Sequence, residues 1–238
     1  MNSAPRIVAL ATDYDETTAS EGRIAPPTMA ALERLKASGR QLILVTGREL
    51  EDLLQVCPEI GLFDCVVAEN GAVLYLPASR TIRSLATAPS TRLVEALRRR
   101  GVHPLSAGHS IVATLHDQYE IVRAAIRELR VAVEIIFNRD ALMILPAGIN
   151  KGTGFEAALG ELGLPPEGMV GIGDAENDEP FLKLCEISVA VNNAIPSIKE
   201  AVDIVTKGER GSGVIEIIDA ILDGKIETLS RRETFQQE

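Results

Sequence analysis

The sequence predicts an α/β protein built on a parallel β-sheet covered by helices, with a small α+β unit inserted into it. Three observations carry that expectation. Continuous aliphatic runs at Ile7–Thr12 and Leu42–Val45 read as strands buried on both faces, because a strand with one wet face would alternate polar and apolar residues, and Cys65–Ala68 and Met169–Gly173 read as further strands. Helical stretches separate them through short links, the pattern that right-handed crossovers impose on parallel strands. Between residues 86 and 146 the order changes to helix, strand, helix, strand, strand, as a separate small unit would show. The expected division is a discontinuous core, 1–85 and 147–238, with the inserted unit at 86–146.

Each element follows in order. After Ile7–Thr12 comes a polar stretch, Asp13 to Arg23. Pro26-Pro27 opens a helix, since the first turn has no use for the N–H that proline lacks; Met29, Leu32 and Leu35 are its expected inner face and Gly39 closes it. Leu42–Val45 ends at Thr46-Gly47, and Glu49–Cys57 is the next helix. Cys65–Ala68 runs into Glu69-Asn70-Gly71-Ala72, and Val73–Leu76 with Thr81–Leu85 reads as a hairpin.

In the inserted unit, Ser90–Arg100 is a helix whose Arg98-Arg99-Arg100 end is expected to be solvated. Ser110–Leu115 is a strand, Glu120–Arg130 a helix, and Val133–Phe137 with Leu142–Leu145 two strands about the turn Asn138-Arg139-Asp140. The core pattern resumes at Asn150, an expected helix N-cap ahead of Phe155, Ala158, Leu159 and Leu162 at helical spacing. Met169–Gly173 is then a strand, Pro180–Cys185 lies in a helix, and Ile187–Val191 is a strand. Pro196–Ala201 is a short helix, Asp203–Thr206 a short strand and Val214–Leu222 the closing helix. Beyond Gly224 the chain turns polar and is expected to form a mobile tail.

Composition narrows the partners. The 238 residues carry 24 Lys+Arg against 34 Asp+Glu, a net charge of -10, so nucleic acid and anionic membranes are not expected partners. Hydrophobic residues make up 46% and supply an aliphatic core, while 3% aromatics and no Trp argue against a base- or sugar-stacking platform. Cys57, Cys65 and Cys185 are an odd, scattered set that suits small core residues better than a disulfide framework. His103, His109 and His116 lack zinc-ligand spacing and read as surface or loop residues. The Ile7–Ala11 run is too short for a secretory leader and no stretch reaches spanning length, so a cytoplasmic protein is expected.

The polar residues that interrupt the pattern fall at strand ends. Asp13 and Asp15 follow the first strand, Thr46 the second, and Asp174, Asn177 and Asp178 the Met169–Gly173 strand, while Lys151 starts a helix. In an open parallel sheet the carboxyl ends of strands line the ligand crevice. Carboxylates converging there repel one another unless a cation joins them, and their hard oxygens suit Mg²⁺. Thr46 and Lys151 near helix N-termini are phosphate-binding elements. A carboxylate beside them can attack phosphorus, and a second acid two residues on can protonate the leaving oxygen and then activate water. Taken singly these motifs have ordinary explanations: Asp-x-Asp makes turns, and Asn150-Lys151-Gly152 makes a good helix start.

Together the motifs resemble those of the haloacid dehalogenase-like phosphohydrolases. The resemblance rests on Asp13-Tyr14-Asp15-Glu16-Thr17, Thr46-Gly47-Arg48, Lys151-Gly152 and Gly173-Asp174-x-x-Asn177-Asp178, in that order. Asn70-Gly71-Ala72, Pro146-x-Gly148-x-Asn150 and Val191-x-Asn193-Ala194 are similar to the Cof-type and phosphoglycolate- or sucrose-phosphatase-like subgroup with a type IIB cap. The resemblance implies a Rossmann-like three-layer core with a cap, and a Mg²⁺-dependent phosphatase of a small phosphorylated metabolite, phosphoglycolate or a sugar phosphate. It implies Asp13 as nucleophile and metal ligand, and Asp15 as general acid/base and metal ligand through its backbone carbonyl. It further implies Thr46, Gly47 and Lys151 as phosphate ligands, Asn177 as orienting the phosphate or the lysine, and Asp174 and Asp178 as metal ligands. Glu16 stands where the family usually has glycine, and its added side chain and charge are expected to alter access to the site. A phosphomutase or phosphotransferase shares this chemistry, and a receiver-like phospho-aspartate protein or a non-catalytic member shares part of it. A monomer or a homodimer is compatible with all of these.

Overall fold

The computed structural model describes residues 7–138 and 140–229. The core begins with β1 (Ala9–Thr12), the short pair β2 (Ala19–Ser20) and β3 (Arg23–Ile24), α1 (Pro26–Ala37) and β4 (Gln41–Val45). It continues through α2 (Leu50–Val56), β5 (Cys65–Ala68), β6 (Val73–Leu76) and β7 (Thr81–Ser84). The segment between 86 and 146 holds α3 (Thr91–Arg99), β8 (Ser106–Ala107), β9 (Val112–Leu115), α4 (Tyr119–Leu129), β10 (Val133–Asn138) and β11 (Ala141–Pro146). Then come α5 (Lys151–Leu162), β12 (Met169–Gly173), α6 (Glu179–Leu182) and β13 (Ile187–Ala190). The last are α7 (Pro196–Ala201), β14 (Ile204–Val205) and α8 (Arg210–Leu222).

The aliphatic runs form the centre of an eight-stranded sheet in the order β14-β13-β12-β1-β4-β5-β6-β7. Every residue of β1, β5 and β12 is buried, as a strand covered on both faces requires. Pairing is parallel from β14 to β5 and antiparallel only for β6 and β7 at one edge. Helices cover it in two groups, α1 with α8 and α5 with α6. The second sheet is four-stranded and antiparallel, β10-β11-β9-β8. Its own hydrophobic core draws Leu93 and Leu97 from α3, Val122 and Ala125 from α4, and Leu142 and Ile144 from β11. A third, small cluster of Ala72, Ile111, Met143 and Leu145 joins the two sheets.

Several expectations shift. On α1 Thr28 and Ala31 are buried with Leu32 and Leu35, and Met29 only partly; Thr28 lies where α1 packs closely on α8, since a Cβ on Gly211 would be 2.2 Å from its hydroxyl. The strands β2, β3 and β8 go beyond the sequence expectation, since their two-residue pairs hold no apolar run. The helix expected over Pro180–Cys185 ends at Leu182, and Cys185 closes the turn with its amide on the Leu182 carbonyl. Past Gly224, Ile226 is buried against the main core, so the expected mobile tail does not begin there; residues 230–238 lie outside the described residues, as does Arg139 of the expected turn. None of the described helices is long and apolar enough to cross a membrane.

Candidate active site

Four neighbouring parallel strands, β12, β1, β4 and β5, end side by side, and the next residue of each is polar: Asp174, Asp13, Thr46 and Glu69. All four side chains are buried. Sheet geometry alone therefore brings residues 13, 46 and 174 to one crevice. Lys151 arrives from the start of α5, which the backbone approaches with almost no clearance. A Cβ on Gly71 (φ +101°) would lie 1.9 Å from the Asn150 carbonyl, and one on Gly154 would lie 2.4 Å from Gly71 Cα. Asn150 caps the helix as expected, its Oδ1 accepting from Gly152 N at 2.9 Å and Thr153 N at 3.1 Å, while the Thr153 hydroxyl accepts from Asn150 N.

So delivered, the Lys151 ammonium is 1% exposed and donates to Asp13 Oδ1 at 2.6 Å and Asp178 Oδ1 at 2.5 Å. The other oxygen of Asp178 accepts from Asp174 N at 2.8 Å and Ala175 N at 3.0 Å, which fixes its plane. Thr17 donates its hydroxyl to Asp174 Oδ1 at 3.0 Å and so ties the loop after β1 to the loop after β12. Burial raises the Asp13 carboxyl well above the usual range, Lys151 opposes this, and Asp178 and Asp174 add to it. Burial works to lower Lys151, but Asp13 and Asp178 outweigh it and hold the ammonium above its ordinary value.

Carboxylate oxygens of Asp13, Asp174 and Asp178 all lie within 4.8 Å of one another. Three buried carboxylates facing one lysine are an excess of negative charge in a dry site, and hard oxygen donors so placed fit a divalent cation such as Mg²⁺. The residues present therefore suit the metal that the sequence suggests.

Asp15 stands apart from that cluster while lining the same cavity as Asp13, Gly47 and Arg48, about 460 Å³ in volume. Both of its oxygens are taken by Arg48, from Nε at 2.7 Å and from an Nη at 2.8 Å, and Arg48 is also held by Asp52. Thr46 is buried with its hydroxyl oxygen accepting from Arg48 N at 3.1 Å. Asn177 is buried beside Gly47, where a Cβ on the glycine would meet its amide nitrogen at 3.5 Å. The opposite wall of the cavity comes from the second sheet: Ser106, Ile111, Ala113, Asn138, Ala141 and Met143.

Glu16 does not join that wall. It takes left-handed backbone (φ 60°), the conformation that makes glycine the easy choice there, and its carboxylate turns to Arg210 at 2.6 Å. Asn193 supports the same loop, donating to the Glu16 carbonyl at 2.7 Å and accepting from Arg210 N at 2.8 Å. The expected effect of Glu16 on access thus gives way to a tie between the β1 loop and α8. Arg98, Arg99 and Arg100 are exposed, with Arg100 paired to Glu128 on α4. Sequence reasoning assigned no role to Arg48, Thr17 or Asn70, although all three stand inside the quoted motifs.

A family model described as haloacid dehalogenase-like hydrolase matches residues 10–137 and 111–218. Phosphoglycolate phosphatase 2 of Saccharolobus solfataricus is 32% identical over 226 residues, covering 91% of this chain and 93% of that one. A phosphoglycolate phosphatase of Methanothermobacter thermautotrophicus is 30% identical over 218 residues, covering 88% and 96%. Among solved structures, a haloacid dehalogenase-like hydrolase from Bacteroides thetaiotaomicron superposes with a TM-score of 0.77 at 19% identity, covering 90% of this chain and 98% of that one.

Proposed function

The chain belongs to the haloacid dehalogenase-like hydrolase family, and on that premise we propose a Mg²⁺-dependent phosphatase of a small phosphorylated metabolite, acting through an aspartyl-phosphate. The observation that carries this reading is the buried Lys151 held between Asp13 and Asp178, with Asp174 in the same cluster and Thr46 on the adjoining strand end. Phosphoglycolate is the first substrate to test, because the two relatives above carry that name, and a sugar phosphate the second.

Thr46 and Gly47 hold the phosphoryl oxygens and Lys151 offsets their charge. Asp13 attacks phosphorus with a carboxylate oxygen as the bond to the leaving oxygen breaks, and Asp15 gives that oxygen its proton. Asp15 then takes a proton from water, which attacks phosphorus, frees Asp13 and releases phosphate. Asp13, Asp174 and Asp178, with the Asp15 backbone carbonyl, would hold Mg²⁺, whose charge stabilises the transferring group. The wall formed by Ser106, Ala113, Asn138 and Met143 lies across the cavity from Asp13 and Asp15 and is where the leaving group would rest. On this reading the segment 86–146 acts as a cap on the core that the described residues before and after it form.

The test is a phosphometabolite panel with Mg²⁺, read as released phosphate, beside Asp13→Asn. Phosphoglycolate turnover that Asp13→Asn abolishes while circular dichroism stays native is the expected result. Wild-type turnover by Asp13→Asn would remove the nucleophile from this scheme. An isomerised sugar phosphate in place of free phosphate would make the protein a mutase.

A further inference from the structure

Asn70 takes no part in the steps above, yet it sits where the two sheets meet. It occupies left-handed backbone (φ 52°, ψ 35°) between Glu69 (φ 51°) and Gly71 (φ 101°). Glu69 anchors this run to the second sheet: its buried carboxylate accepts from the backbone N–H groups of His109, Ser110 and Ile111 at 2.9, 2.7 and 3.1 Å. Asn70 is itself fully buried. Its Oδ1 accepts from Asn177 Nδ2 at 2.8 Å, and its Nδ2 donates to the Met143 thioether on β11 at 2.6 Å.

A consequence falls on Asn177. Its Nδ2 is committed to Asn70, while its Oδ1 is buried and finds no hydrogen-bond partner among the described residues. Asn177 is 5% exposed, lies beside Gly47 and lines a cavity together with Lys151. The free end of its amide is therefore an acceptor. A phosphoryl oxygen also only accepts, so this orientation opposes the group that Thr46 and Lys151 attract. Half a turn of both amides about their terminal torsions reverses the bond without changing shape. Asn70 Nδ2 then donates to Asn177 Oδ1, and Asn177 Nδ2 is free to donate to an anion. Neither amide can turn alone, because oxygen would face oxygen or N–H would face N–H. What opposes the turn is the Asn70 bond to Met143, and a thioether is a weak acceptor.

We infer that Asn70 is a positioning residue: it sets which end of the Asn177 amide faces the phosphoryl group, and Met143 holds the pair in the orientation that excludes an anion. This rests on the reading of the crevice as a phosphate site. The probe is inorganic phosphate with Mg²⁺, which has no leaving group to touch the cavity wall, measured by calorimetry on the full chain. Met143→Leu keeps the apolar volume and removes the acceptor, and it should bind phosphate about 3-fold more tightly than wild type. Asn70→Gly suits the left-handed backbone and removes both bonds, which frees Asn177 Nδ2 for the anion, and it too should bind phosphate about 3-fold more tightly than wild type. The Asn177 side-chain amide resonances should shift on phosphate addition in wild type and already be shifted in Met143→Leu. A packing role for Asn70 and Met143 predicts no gain from Met143→Leu, so phosphate bound no more tightly by that variant overturns the inference. Equal affinity of Asn70→Gly and wild type does the same. Wild-type protein that binds no phosphate overturns the functional reading along with it.

Discussion

Arg48 contributes geometry at Asp15. A guanidinium that meets both oxygens of a carboxylate fixes its plane, which a single ammonium cannot do. Arg48→Lys should therefore lower kcat about 10-fold with little change in the affinity for inorganic phosphate, as steady-state kinetics and product inhibition would show. An equal loss in both would mean that Arg48 holds the phosphate itself. The cysteines give the opposite kind of expectation. Burial pushes Cys57 up to about 11 and Cys65 up to about 12, so at pH 8 the thiolate fraction of either is about a thousandth or less. Native protein should react slowly with a disulfide reagent at pH 8, and denaturant should release all the thiols; rapid native labelling of Cys57 or Cys65 would contradict their place in the core. At this scale the acids drew notice as a set: each alone has an ordinary turn or cap explanation, but several at the ends of neighbouring strands do not. Arg48 and Glu69 were not, since nothing local says that an arginine will fold back onto residue 15, or that a carboxylate will be satisfied by backbone amides 40 residues away.

Helix α5 shows how an element can be part of a site. Its capping box fixes where the first turn starts, and Gly71 and Gly154 let that turn lie against the end of β5, which puts Lys151 between two carboxylates. Gly71→Ala adds a Cβ at 1.9 Å from the Asn150 carbonyl and asks for φ +101° from an L-residue. A loss of about 3 kcal/mol by urea unfolding is expected, with activity falling further than stability because Lys151 moves with the helix. Asn150→Ala removes only the cap and should cost about 1 kcal/mol. Stability and activity both unchanged in Gly71→Ala would mean that α5 does not rest on this contact. The elements legible in sequence were those whose pattern reflects burial on two faces, such as β1 and β4, or a cap with a spacing, such as Asn150. Strands β2, β3 and β8 were not, because Ala19-Ser20, Arg23-Ile24 and Ser106-Ala107 hold no apolar run, unlike the equally short Ile204-Val205 of β14.

The described residues form two hydrophobic cores and a small shared one, and the cavity is lined from both sheets. The change of pattern after residue 85 goes with a second sheet, β10-β11-β9-β8; how that sheet meets the first was not readable, because the junction is made by single residues from both sides. Glu69 is the strongest of these, a buried carboxylate that accepts three backbone N–H groups of the segment 109–111. Glu69→Gln keeps the shape and the left-handed backbone, but its NH₂ end has to face a donor. Leaving buried donors badly matched costs about 2 kcal/mol, or a roughly 30-fold rise in local opening. Hydrogen exchange at residues 109–111 should accelerate by about that factor in Glu69→Gln, while amides in β1 and β12 and those on the Leu97 and Val122 faces of α3 and α4 keep their rates. Ile111 and Met143 wall the cavity on the same side, so kcat/KM for the phosphoester should fall with the faster opening. Acceleration spread evenly over both cores would mean that the two sheets unfold as one unit, and the division of the chain into core and cap would lose its physical basis.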